Sequence, residues 1–264
     1  MIIVNKLTTI ENVWIYFYVL IFLIGLSVGS FFNVVIFRFG TGKSIVKGRS
    51  KCPNCDSVIR WFNLVPVLSY FMLQSRCRAC NKKISPLYPV VEISTAAILL
   101  LLFLNTPVVS HLTALNAFII LFLVLVIFLD IRYLIIPDKI LILLAIAAVG
   151  LKLLTGNANF IHLFISALGL TAFFAILYTV SRGEWIGLGD IKLIFFIGFL
   201  LGYPMGYLAI VTAVWLAAIF SIILLATGKA NVKTEIPFGS FLSAATIIFI
   251  IFNNELQEIT KYFQ

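Results

Sequence analysis

Most of this 264-residue chain is made of long runs without a single formal charge. Residues 12–37, 93–129, 153–181, 193–228 and 236–254 contain no Lys, Arg, Asp or Glu. A shorter apolar run, 140–151, is ended by Lys152. A helix needs about 20 mainly apolar residues to cross a bilayer. Local breaks divide the longer runs. Asn105-Thr106-Pro107 and His111 split 93–129 into two helices, Gly156-Asn157 turns the chain before a helix from about Phe160, and Tyr203-Pro204-Met205-Gly206 marks a turn within 193–228. The expected fold is an all-α polytopic membrane protein with about eight transmembrane helices, or seven if 193–228 is one tilted or kinked helix. Composition closes off the alternatives. With 62% hydrophobic and 11% charged residues, too little polar surface exists for a water-soluble globule, and the apolar content is far too high for disorder. The first run exceeds the apolar stretch of a signal peptide and no A-x-A-like site follows, so it is expected to remain as an anchor.

The charges give an orientation. With the N-terminus outside and eight spans, the inner segments are about 38–92, 130–139, 181–192 and 228–235, and they hold sixteen of the nineteen Lys and Arg. Only Lys6, Lys152 and Lys261 fall elsewhere, as the positive-inside rule requires. Topology and anionic lipid headgroups thus account for the net charge of +9. Nucleic acid is not an expected partner, because no interleaved aromatic platform accompanies the basic residues. Three regions are predicted: 1–37 as tail and first span, 38–92 as a cytoplasmic loop domain, and 93–264 as a helical membrane core.

All four cysteines lie in that loop, as Cys52-Pro-Asn-Cys55 and Cys77-Arg-Ala-Cys80. Two Cys-x-x-Cys pairs supply the four thiolates of a tetrahedral Zn²⁺ site. On the cytoplasmic side thiols stay reduced, which favours metal over disulfide. Four sulfur ligands leave no open position for water, so the expected zinc is structural. It would fold a loop of roughly 50 residues that is too small to build its own core.

Ionisable groups at membrane depth are costly, and therefore informative. Asp130 directly ends the run LFLVLVIFL, and Asp190 follows Gly187-Leu-Gly189 at the start of IKLIFFIGFLLG. Both fall at the inner membrane face on the topology above. Two such carboxylates are what an aspartyl protease uses: one holds a proton while the other takes a proton from water. The glycines let backbone approach closely beside the acid. Plainer readings stand next to this one. Asp190 caps its helix, and Asp130 pairs with Arg132 or Lys139. Asp138, after Pro137, reads as a cap at the start of the fourth span. Glu92 either closes the first turn of its span or touches the active site, and Glu184 is a solvated loop residue. His111 and His162 lie on the outer side, away from the acids and cysteines.

These residues together resemble the type IV prepilin leader peptidases, intramembrane aspartyl enzymes with a Gly-x-Gly-Asp motif. Gly29-Ser-Phe-Phe-Asn33-Val-Val-Ile-Phe-Arg38 is similar to the family's first-span motif. The two Cys pairs, the stretch Trp61 to Tyr70, and Ile84-Ser-Pro-Leu-Tyr88-Pro89-Val-Val-Glu92 match in order. So do Asp130 to Asp138, Gly187 to Lys192, and Ile236-Pro-Phe-Gly239. The resemblance implies a catalytic pair Asp130 and Asp190, with Asp138 on a recurring but non-catalytic position. It implies cleavage of prepilins and pseudopilins after a short basic leader, at the cytoplasmic face of a bacterial inner membrane. It also implies N-methylation of the new terminus with S-adenosylmethionine. Three positions depart from the pattern: Arg132 in place of a second acid, Phe32 in place of Leu, and Ser240 in place of a common Pro. None of the three is expected to touch the catalytic pair. Two other functions compete. A transporter using the acids as ion relays would show inverted repeats, and no internal repeat of the helix pattern is evident. A non-catalytic assembly subunit would tolerate Asn at both acids.

Overall fold

The computed structural model describes residues 2–106, 109–156, 159–229, 231, 234–253, 255, 256 and 258, with backbone only for 2–12. The regular elements among the described residues are helices, with two isolated antiparallel bridges, and the chain forms two compact units, Met1–Pro107 and Val108–Gln264.

In the first unit a long helix, α1 (Ile2–Arg38), packs against α3 (Leu87–Asn105). The two run antiparallel and touch backbone to backbone. A Cβ on Gly25 would stand 2.5 Å from Ala96 Cα, and one on Gly29 would stand 2.7 Å from Glu92 Cα. Two glycines four residues apart therefore form the seam, as small residues do where helices meet in lipid. Between α1 and α3 lie the cysteine segment, a 3₁₀ turn at Trp61–Leu64 and the short helix α2 (Leu68–Met72).

The second unit contains α4 (His111–Tyr133), α5 (Asp138–Thr155), α6 (Phe160–Ser181), α7 (Leu188–Leu201), α8 (Met205–Ala226) and α9 (Phe238–Ile251). Its core is aliphatic. Ile119, Ile120, Leu123 and Leu129 of α4, Leu193, Ile194 and Ile197 of α7, and Leu242 of α9 are fully buried. Polar residues set the helix ends: Ser110 Oγ accepts the Thr113 N–H to start α4, and Asn159 Oδ1 accepts the His162 N–H to start α6. Gly156, at φ +67°, closes α5 where the turn was expected.

Each predicted apolar run carries its helix, and 193–228 divides into α7 and α8, so it is not one kinked helix. Among the described residues, five helices are long and apolar enough to cross a membrane: α1 from Val13, α3, α4, α6 and α8. The helices of the other three predicted spans, α5, α7 and α9, fall short of that standard, and α2 has five residues. At 14 residues each, α7 and α9 reach roughly 21 Å, against about 30 Å of bilayer hydrocarbon. The final predicted run extends to residue 254, which lies outside the described residues.

Candidate active site and metal centre

Asp130 sits in the last turn of α4. The helix ends three residues later because Leu134 takes a left-handed conformation (φ +54°) and returns its N–H to Asp130 O at 2.8 Å. The chain then turns Ile136 inward, where it is buried, before α5 begins. Asp190 stands in the first turn of α7, three residues after Gly187, whose N–H donates to Asp190 Oδ2 at 3.3 Å. The capping reading of Asp190 is therefore realised through Oδ2, which leaves Oδ1 for other partners.

The two acids, 60 positions apart in the numbering, meet at the N-terminus of α9. A side-chain carbon placed on Gly239 would stand 3.1 Å from Asp130 Oδ2 and 3.1 Å from Asp190 Oδ1. The two oxygens therefore lie within twice that distance of each other, a gap that two hydrogen bonds through one water can span. Gly239 is needed at this point because any side chain would fill the space between the carboxylates. The same hypothetical carbon would lie 2.6 Å from Ile136 Cδ1, and one on Gly189 would lie 3.2 Å from Ile136 Cβ. Ile136 is thus the wall against which both glycines pack. Asp130 is 4% exposed and Asp190 half-buried, so the pair is largely screened from bulk solvent.

Ser240 corrects a sequence expectation. It was not expected to touch the pair, yet its backbone N–H donates to Asp130 Oδ2 at 2.6 Å and its hydroxyl to the same oxygen at 3.0 Å. The hydroxyl also lies 3.1 Å from Ile127 O. This N–H lies in the first turn of α9 and also reaches Pro237 O at 3.2 Å, so Asp130 adds to that helix a cap supplied from another helix. Two helix N-termini, of α7 and α9, converge on the carboxylates with their partial positive charge. Sequence spacing could not have found this contact, which joins residues 110 apart.

Asp138 also departs from its reading. It lies in the first turn of α5 but makes no side-chain cap bond. Its Oδ1 instead accepts from Lys192 Nζ at 2.6 Å, which ties α5 to α7 just beyond Asp190. Both side chains are exposed, so the pair contributes little to stability. Within the first unit, Glu92 does not close its own helix turn. Its carboxylate takes the Val67 N–H at 2.7 Å and Asn33 Nδ2 at 3.3 Å. Glu184 is exposed, as predicted. His111 opens α4 at the far end from Asp130.

The cysteines form one cluster. Their four sulfurs all lie within 4.8 Å of one another, with Cys52 and Cys80 Sγ 3.9 Å apart. A tetrahedral zinc with bonds of about 2.3 Å needs sulfurs about 3.8 Å apart, so this donor set fits the ion. The local fold is a repeat of one motif. Each Cys-x-x-Cys is bracketed by an antiparallel bridge, Lys51 to Val58 and Arg76 to Lys83. In each, the first Cys N–H is accepted five residues on, by Ser57 O and Lys82 O. A left-handed residue follows each second Cys: Asp56 (φ +50°) and Asn81 (φ +57°). Backbone N–H groups of Cys80 and Ala79 aimed at Cys77 draw its thiol down to about 6. Purified protein is expected to carry one zinc per chain by elemental analysis, and Cys52→Ser or Cys77→Ser to lose it; a full zinc complement in either variant would contradict the assignment.

Comparison with known proteins bears on the family of the chain. Residues 23–106 match the model of the bacterial peptidase A24 N-terminal domain, and residues 117–222, which include both acids, match that of the type IV leader peptidase family. A prepilin leader peptidase/N-methyltransferase of Bacillus subtilis is 28% identical over 237 residues, covering 90% of this chain and 95% of that protein. One of Myxococcus xanthus is 33% identical over 224 residues, covering 83% and 67%. One of Vibrio cholerae is 33% identical over 209 residues, covering 71% and 79%. No solved structure gives a significant match. Ordered motifs, a paired-carboxylate site and relatives matched over most of their length lead to one assignment: the chain belongs to the type IV prepilin leader peptidase/N-methyltransferase family.

Proposed function

We propose that this chain is a multi-pass aspartyl endopeptidase of the bacterial inner membrane. It removes the basic leader from prepilins and pseudopilins at the cytoplasmic face and N-methylates the new terminus with S-adenosylmethionine. The observation that carries the peptidase reading is the convergence of Asp130 and Asp190 on Gly239. Eight spans and the positive-inside orientation complete the proposal. They put the ends of α4, α7 and α9 that carry the site on the same side as the basic loops, where a basic leader is presented.

The chemistry follows from the pair. Two close carboxylates share one proton. Asp130 already receives two hydrogen bonds on Oδ2, which suits the ionised partner, so Asp130 is assigned as base and Asp190 as acid. Water between them gives a proton to Asp130 while its oxygen attacks the scissile carbonyl carbon. The Asp190 proton passes to the carbonyl oxygen, and a neutral tetrahedral diol forms. Asp130 then returns its proton to the leaving amine as the C–N bond breaks, and Asp190 recovers a proton from the diol hydroxyl. The carboxyl product and the free amine leave, and both acids regain their starting states.

Zinc, held by Cys52, Cys55, Cys77 and Cys80, would supply folding energy to the loop and no reaction step. S-adenosylmethionine brings an electrophilic methyl group for the new amine. No Gly-x-Gly-x-x-Gly following a strand occurs in the chain, so none of the residues assigned here is given to the methyl donor, and no step is routed through it. Co-expression with a prepilin, followed by mass spectrometry of the mature product, is expected to show a terminus one methyl group heavier than the bare cleavage product. An unmodified terminus in the presence of ample methyl donor would separate the two activities and leave the peptidase alone.

A further inference from the structure

We infer that Trp61–Met72 is a lipid anchor: it lies in the headgroup layer of the membrane, its apolar side chains among the acyl chains and an anionic phospholipid headgroup in the basic crevice beside it. Neither the zinc cluster nor the paired acids explains this segment. Its 3₁₀ turn and α2 bury no residue. Trp61 is 78% exposed, Leu68 62%, Phe71 66% and Met72 81%. So many large apolar side chains on a loop rich in charge mark a surface that meets something apolar.

The depth at which the segment is held identifies that partner. Val67, between the turn and α2, gives its N–H to Glu92 Oε2 at 2.7 Å. Glu92 is buried five residues into α3, roughly 8 Å along the helix from Leu87. Because α3 is long and apolar enough to span a membrane, this bond holds the segment beside the start of a spanning helix, level with the bilayer interface. Val67 is kept there at φ +63°, a strained conformation for a β-branched residue. Trp, Phe and Met beside basic residues are the composition of a helix lying in that interface.

Charge adds the second half of the argument. Between residues 39 and 86 stand nine Lys or Arg and one acid, Asp56. Next to α2 is a crevice of about 580 Å³ lined by Tyr70, Gln74, Ser75, Arg76, Lys83 and Ser85, among others, with no acidic side chain. Two cations with hydroxyl and amide donors suit a phosphate-bearing headgroup, and the adjoining apolar ridge suits its acyl chains. Held in this way, the zinc-bearing loop stays in the headgroup plane.

The test uses the full chain in nanodiscs of equimolar phosphatidylcholine and phosphatidylglycerol. Trp14→Phe, Trp185→Phe and Trp215→Phe together leave Trp61 as the only tryptophan. Lipids brominated near the glycerol end of the acyl chains are expected to quench its emission by at least about twofold, while aqueous iodide has little effect. Quenching by iodide alone, or by neither agent, overturns the anchor, because the segment then faces water or is covered by protein. Pure phosphatidylcholine, and Arg76→Gln with Lys83→Gln, are each expected to lower the bromolipid quenching. Unchanged quenching in both removes the headgroup crevice from the proposal. The unmodified chain gives an independent readout. Phosphatidylglycerol carrying a photoreactive acyl chain is expected to label Trp61, Phe71 or Met72, and labelling of α1 and α3 without any adduct in 61–72 overturns the inference.

Discussion

Asp130→Asn and Asp190→Asn will each lower leader cleavage by at least about a thousandfold, with the protein still inserted and still carrying its zinc. Asn is the informative replacement because it keeps the size and polarity of each side chain. An amide oxygen at 130 still accepts both Ser240 donors, and one at 190 still accepts the Gly187 N–H, so the ends of α9 and α7 stay anchored. What disappears is the ability to take or give a proton. Because the acids act as a unit, the double variant is expected to be scarcely slower than either single one. A synthetic prepilin in detergent or nanodiscs, followed by mass spectrometry of the leader, measures all three. Cleavage within tenfold of the parent by either single variant would remove the paired-acid mechanism and favour an assembly role for the chain.

The legible part of this molecule is the part that rests on local rules or on cost. Uncharged runs show where helices lie, because lipid admits few alternatives. Asp130 and Asp190 stand out because each interrupts an apolar context that penalises charge, and two Cys-x-x-Cys pairs point to one another through coordination chemistry. The likeness of the two cysteine turns is harder to read. They share Ser50 with Ser75, Lys51 with Arg76 and Ile59 with Ile84, but the register appears only once bridges and left-handed residues align them. Asp138 shows a local rule giving way: a first-turn acid after proline reads as a cap, and Lys192, 54 residues away, takes it instead. The family pattern around Ser240 carries no spatial information. The Ser240 contact depends on where α9 begins relative to α4, and no periodicity records that.

Gly239→Ala will lower activity by at least about a hundredfold while leaving the helices assembled. Its added methyl group has two sets of neighbours, which can be separated by experiment. One is Ile136 Cδ1 at 2.6 Å, the tip of a flexible side chain that a small shift can clear. The other is the pair of carboxylate oxygens at 3.1 Å: Asp130 Oδ2, held by Ser240, and Asp190 Oδ1, whose carboxylate is anchored through its other oxygen by the Gly187 N–H. Relieving the first contact with Ile136→Val should therefore recover thermal stability in Gly239→Ala without recovering cleavage. A lost interior methylene typically costs about 1 kcal/mol on its own, so the double variant is not expected to exceed the parent in stability. If Ile136→Val restored cleavage as well, the glycine would matter only for packing, and the space between Asp130 and Asp190 would not be where the bond is broken. If it restores stability alone, that space is needed for water and substrate.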